Sequence, residues 1–269
     1  MPVQLSRGRL CHGLGATRVA HGGGAPELPW VAVRKREERL SWGMGVAIEM
    51  IPDRPGREVA FEPLLDELLE FFSPCWILPD RMAGEHQHHR CEVKRWEIGR
   101  AAEEGPGLTR EHADGLMNAV VHDQCRSGIN QLVKPLVKAL GHRWTQEQII
   151  HYVRSGSDAQ KVGATMAWYF SMPPLRYASM GDAKNLVPTP ESRAAREAVS
   201  DLRAKYREAV LVAFLACEDP GTRQDLSLWI SLDSSAYPGV LQADHERAKS
   251  LILADPEHYR LSLQRSGQG

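Results

Sequence analysis

From Glu58 to the end of the chain, apolar residues recur every third or fourth position, and no stretch shows convincing apolar–polar alternation. That spacing gathers them on one side of an α-helix, whereas a half-buried strand needs a period of two. Phe61, Leu64, Leu65, Leu68, Leu69 and Phe72 form the first such stripe, and Ser73-Pro74 closes it. The expected fold is all-α: a set of short packed helices over residues 58–269.

Between Cys75 and Gly107 the pattern is mixed, with one short helix expected around Val93 to Ala102. Thr109-Arg110-Glu111-His112 reads as a helix start, with Leu116, Val120 and Val121 on its apolar face. Gly128 separates this from Ile129, Leu132, Val133, Leu136, Val137 and Leu140, which end at Gly141. Thr145 is expected to cap a helix carrying Ile149, Ile150 and Val153, and Ser157-Asp158 to open another that stops at Pro173 and Pro174. A linker then runs to Pro190, followed by one long helix from Glu191 to Cys217. Asp219-Pro220-Gly221 is a turn, and helices over Arg223 to Leu232, Gln242 to Leu253 and Pro256 to Gln264 complete the chain.

Residues 1–57 differ. Gly8, Gly13, Gly15, the run Gly22 to Gly24, Pro26 and Pro29 break any period, and Arg34 to Arg39 is a charged cluster. Such a stretch buries too little apolar surface to offset its ordering entropy, so a disordered or weakly structured extension is expected. Met44 and Met50 both precede the compact part, and either is an alternative translation start.

Composition narrows the function classes. Lys plus Arg (33) nearly balances Asp plus Glu (34), a formal charge of -1, which disfavours a dedicated nucleic-acid binder. The five cysteines are scattered, odd in number and without a CxxC pair, so neither a disulfide framework nor a cysteine-rich zinc module is expected. No apolar run reaches the roughly 18 residues of a membrane span, and Arg7, Arg9, His12 and Arg18 interrupt any signal-peptide core. A cytoplasmic protein is the expectation.

The most specific local pattern is Gln146 to Phe170: a helix of about ten residues, a Gly-Ser-Asp turn, and a second helix containing Lys161, Val162, Gly163, Ala164 and Ala167. It resembles a HEAT-type helical repeat, in which small residues let antiparallel helices approach closely. A similar rhythm recurs at Tyr206 to Leu232, although the spacing departs from a fixed period. The resemblance, over about half of the chain, implies a stacked helical array with an extended partner-binding surface. An irregular multi-helix bundle accommodates the same helices.

Chemistry-bearing motifs are scarce. His86, His88, His89 and Cys91 are metal-ligand types, but neighbouring residues cannot all face one ion, so a solvated loop without metal is expected. No GxSxG, GxxxxGK, HExxH or GxGxxG motif opens a helix, and no cofactor is expected. The binding candidates are Lys161, Trp168, Arg176, Tyr177, Arg223 and Trp229, because Trp, Tyr and Arg dominate interface hot spots. Tyr169 and Phe170 are expected to face the core with Met166, leaving Trp168 near the edge of that face, although burial of both tryptophans is the simpler expectation for so large a side chain. The leading expectation is a non-enzymatic protein-binding or adaptor module with a protein partner. The alternative resemblance is to the HEAT-like alkylpurine glycosylases, which implies a nucleic-acid partner and a concave face for which Trp168, Arg176, Asp225 and Trp229 are the right residue types.

Overall fold

In a computed structural model, residues 57–123, 125–177 and 187–266 are described. The N-terminal extension up to residue 56, both alternative starts, and the middle of the linker before Pro190 lie outside the described residues. The described residues form an all-α multi-helix fold of twelve α-helices and two short 3-10 turns. A single antiparallel bridge, Tyr177 to Pro188, is the extended pairing among them.

α1 (Arg57–Phe72) buries Phe61, Leu65, Leu68, Leu69 and Phe72, the spacing that predicts it. After the one-turn α2 (Asp80–Ala83), α3 (Gln87–Glu104) packs along α1. Glu62 of α1 accepts from Arg90 Nε and Nη2 at 3.0 and 2.9 Å and from Lys94 Nζ at 2.9 Å. These bonds, Arg90's foremost, hold the Glu62 carboxyl down at about 2 against the burial that opposes them. The histidine cluster is therefore not a loop. His86 caps α3 by accepting from the His88 amide, and the Arg90–Glu62 contact ties this first turn to α1. Successive rings then point about 100° apart, and no metal-holding group occurs among the described residues.

α4 (Pro106–Glu111) starts at a proline rather than at Thr109, whose hydroxyl is buried and donates to the Ala102 carbonyl at 2.7 Å. α5 (Ala113–His122) carries Leu116, Val120 and Val121 inward as expected. α6 (Asn130–Ser155) is two helical segments broken at Gly141, which has φ 86, a left-handed conformation that favours glycine. Thr145 is no cap. It sits a turn inside the second segment and donates to the Gly141 carbonyl.

α7 (Asp158–Ser171) opens on the capping box of Ser157 and Gln160. Every residue from Val162 to Trp168 is buried, because α7 lies against α5 and α6 and against α10 (Pro220–Ser227). Close approach depends on Gly163: a Cβ there would fall 2.0 Å from the Val121 carbonyl oxygen of α5. Gly99 of α3 plays the same part against the Gln131 carbonyl of α6, at 2.6 Å.

The long helix expected over 191–217 is two, α8 (Pro190–Glu197) and α9 (Ser200–Ala216). The break exposes the Ala198 carbonyl, which accepts from Arg143 Nη2 at 2.5 Å while Arg143 also pairs with Asp201. Asp219 is the cap of α10, accepting from the Thr222 amide, so that helix starts before Arg223 and ends at Ser227. α11 (Gln242–Ala254) matches expectation, whereas α12 (Arg260–Arg265) begins later than Pro256. No helix of the described residues is long and apolar enough to cross a membrane.

Two measurements check this packing. Gly163→Ala should lower the unfolding free energy by about 1–3 kcal/mol, because its methyl meets backbone that cannot yield, whereas Gly239→Ala, with open space around it, should be near neutral. Glu62's depressed pKa contributes stability that is present above its ordinary 4.5 and is lost as pH falls towards 2. Glu62→Gln should cost about 1–3 kcal/mol at pH 7 and flatten stability below pH 4.5, both read by denaturant titration followed by circular dichroism.

Candidate functional site

The C-terminal end of α7 is held by its neighbour α6. His142 Nδ1 and Gln146 Nε2 both reach the Ser171 carbonyl, at 2.8 and 3.1 Å, taking up an acceptor the ending helix leaves free. That anchoring places Trp168 against Tyr206 of α9, their rings parallel to within 3° and 4.0 Å apart. Trp229, just past α10, meets the same Tyr206 edge-on at 6.4 Å. Trp168 and Tyr206 are buried, Trp229 only partly. Burial pushes the Tyr206 phenol well above its ordinary value, so it stays protonated.

This aromatic triplet floors a cleft of about 550 Å³ between α7, α8–α9, the segment after α10, and α12. Four arginines line it: Arg196, Arg203, Arg207 and Arg265. Three are moored through one nitrogen to a backbone carbonyl: Arg196 Nε to Pro173 at 3.0 Å, Arg207 Nη1 to Ala236 at 3.1 Å, and Arg265 Nη1 to Leu228 at 2.9 Å. Arg265 also lies over the Trp229 ring, 5.1 Å from its centroid. None of the four makes an ion pair with a described carboxylate. The acidic residue of the lining is Asp233, whose oxygens accept from the Ser235 amide at 2.9 Å and hydroxyl at 2.7 Å. Those two bonds hold it below the usual carboxylate range, so it remains ionised.

Of the residues singled out in the sequence, Trp168 and Trp229 meet in this cleft, joined by Tyr206. Lys161 lies seven residues back along α7, roughly 10 Å along the axis, and pairs with Asp158 at 3.3 Å. Arg223 Nε donates to the Cys217 carbonyl at 2.9 Å, with Nη2 on the same oxygen, and so closes the end of α9. Arg176 and Tyr177 are exposed on the connection between α7 and α8, outside the cleft lining. Asp225 is buried and also outside it. Of α7's aromatics, Tyr169, expected inward, is instead 70% exposed on the rim, whereas Trp168 is buried, as the simpler expectation has it, and Phe170 packs partly buried against the core. A helix buried on nearly every side has no single apolar face from which to read orientation.

The arginines were missed by sequence reasoning, although a signal existed. Arg203, Tyr206 and Arg207 fall at i, i+3 and i+4, one face of α9. What the sequence could not supply was the approach of Arg196 and Arg265 from other helices.

No protein-family model matches the chain, and neither a curated protein nor a solved structure matches it. The class that the structure defines is an all-α multi-helix protein with an arginine-rimmed, aromatic-floored cleft.

The floor is a packing unit. Tyr206→Ala should cost about 3–5 kcal/mol, as large aromatic truncations in cores do, while Arg203→Ala, exposed and unbonded among the described residues, should stay within about 0.5 kcal/mol. Denaturant midpoints of the two variants check this.

Proposed function

We propose that this chain is a non-enzymatic binding module of the HEAT-like helical type, and that its cleft receives an acidic segment of a protein partner. The observation that carries the reading is that four arginines line one cleft with a single described carboxylate, Asp233, and none forms an ion pair with a described carboxylate. Like charges gathered in this way repel one another, and an entering anion converts that repulsion into attraction. Arginine also keeps its charge at any physiological pH and presents a planar fork suited to carboxylates. The mooring of Arg196, Arg207 and Arg265 fixes their side chains before a partner arrives, which lowers the ordering cost of binding. A cytoplasmic location belongs to the same proposal.

A nucleic-acid partner is the second reading, favoured by the juxtaposition of arginines and aromatic rings. The ring geometry weighs against it. Trp168 and Tyr206 stack on each other and Arg265 covers one face of Trp229, so among the lining rings Tyr169 on the rim is the one with most of its surface open to a base. The constellation suggested by the glycosylase resemblance is also dispersed, with Arg176 and Asp225 outside the cleft.

The test is titration of the full chain with a glutamate-rich peptide and with a single-stranded oligonucleotide, followed by tryptophan fluorescence. The peptide should bind with an affinity that falls as salt rises, and Arg203→Glu should weaken it at least tenfold. Tight oligonucleotide binding without peptide binding would transfer the cleft to the second reading. Peptide binding indifferent to Arg203→Glu would remove the cleft from either.

A further inference from the structure

We infer that the anionic group this cleft is built for is a phosphate monoester, a dianion, carried on a partner's side chain or on a small molecule. The inference rests on the anion-binding reading above and sharpens it to one chemical class. Its basis is the imbalance of charge and of hydrogen-bonding capacity in the cleft.

Among the described residues four arginines and one carboxylate, Asp233, line the cleft, and Asp233, held by Ser235 and acted on by the charge of Arg207, offsets at most one of the four positive charges. A single carboxylate ligand would leave most of this positive charge unmatched, whereas a dianion offsets twice as much. Donor supply points the same way. A guanidinium has five N–H donors, yet Arg196, Arg207 and Arg265 each spend one on a described acceptor and Arg203 spends none. The donors left over outnumber the acceptor sites of a carboxylate and suit the three terminal oxygens of a phosphate monoester. Among the described residues no lysine lines the cleft, and each of its arginines offers the planar fork that binds phosphate bidentately. The volume, about 550 Å³, accommodates a phosphate with the group that bears it, and the rim ring of Tyr169 and the part-exposed Trp229 provide apolar surface for that group.

The discriminating chemistry is the ligand's own titration. A phosphate monoester passes from monoanion to dianion near pH 6, a diester stays monoanionic, and so does a benzoate. Tyr206 is held protonated, and Asp233 is held ionised by Ser235, with the charges of His245 and Arg207 acting in the same direction. Asp201, on the outer side of α9, is held at about 2 by Arg143 and Lys205. His245, whose Nε2 lies 2.9 Å from the Ser231 carbonyl behind the cleft, is the neighbouring titratable ring, and a benzoate control reads any change it causes.

The experiment is calorimetric titration of the full chain with phenyl phosphate, diphenyl phosphate and benzoate at pH 5.0 and 7.5, with inorganic phosphate and a phosphoserine peptide as further arms. Phenyl phosphate should bind at least tenfold tighter than benzoate at pH 7.5, weaken by about tenfold at pH 5.0, and lose at least tenfold in Arg203→Gln while that variant keeps its helical circular dichroism. Tighter binding of the phosphoserine peptide than of inorganic phosphate assigns the group to a protein partner, and the reverse order assigns it to a small molecule; either supports the inference. Equal, pH-independent binding of phenyl phosphate and benzoate overturns it while leaving the anion-binding reading intact. Preference for the diester overturns it in favour of a nucleic-acid backbone. Absence of binding by every anion, the glutamate-rich peptide included, overturns both.

Discussion

The structure depends on one helix that is surrounded. Val162 through Trp168 of α7 are all buried, so this segment must find neighbours on every side. It can do so only because its side chains are small where backbone comes closest. Gly163 lets the Val121 carbonyl of α5 approach to a distance that no Cβ would tolerate, and fully buried Ala164 and Ala167 keep the same helix slim. Once α7 is enclosed by α5, α6 and α10, its C-terminal end has a fixed direction, and the Ser171 carbonyl is secured by His142 and Gln146. Trp168 then has one place to go, flat against Tyr206.

From that point the site follows by propagation. Tyr206 is shared: it stacks on Trp168 from α7 and meets Trp229 after α10, so one phenol ring sets the spacing of three elements. Around this floor Arg196, Arg207 and Arg265 are tied to backbone carbonyls of neighbouring segments, and Arg265 lies over the Trp229 ring. Elsewhere the fold uses matched ion pairs: Arg90 and Lys94 with Glu62 and Asp66, Arg95 with the buried Asp123, Arg143 with Asp201. The cleft arginines make no ion pair with a described carboxylate, and three of them are held by backbone carbonyls instead.

How much of this was legible depended on the neighbours each helix has. α1, α5 and the first segment of α6 are half-buried, so their apolar stripes are explicit in the sequence, and Gly141 breaks α6 where a glycine in a left-handed conformation should. α7 is recognisable as a helix from its cap and its proline stop, but its orientation is not, because burial on nearly all sides erases the stripe; the inward expectation for Tyr169 fails for that reason. The break at Ala198–Val199 carries neither glycine nor proline, and it is stabilised by Arg143 from a distant helix, a tertiary cause with no local signature. Likewise, the two tryptophans are recognisable as partners by type, whereas the convergence of Arg196, Arg203, Arg207 and Arg265 exists only after three helices, α8, α9 and α12, have packed.

The most direct test of the central claim, that the enclosed end of α7 builds one anion-receiving cleft, is a proton–nitrogen NMR titration of the full chain with an anionic peptide. The account predicts that the Trp229 indole resonance and the side-chain Nε resonances of Arg203, Arg207 and Arg265 move together and saturate at one equivalent. The indole of Trp96, 56% exposed on α3, should remain still. Shifts scattered over surface cations such as Lys134, with the cleft resonances unmoved, would contradict it.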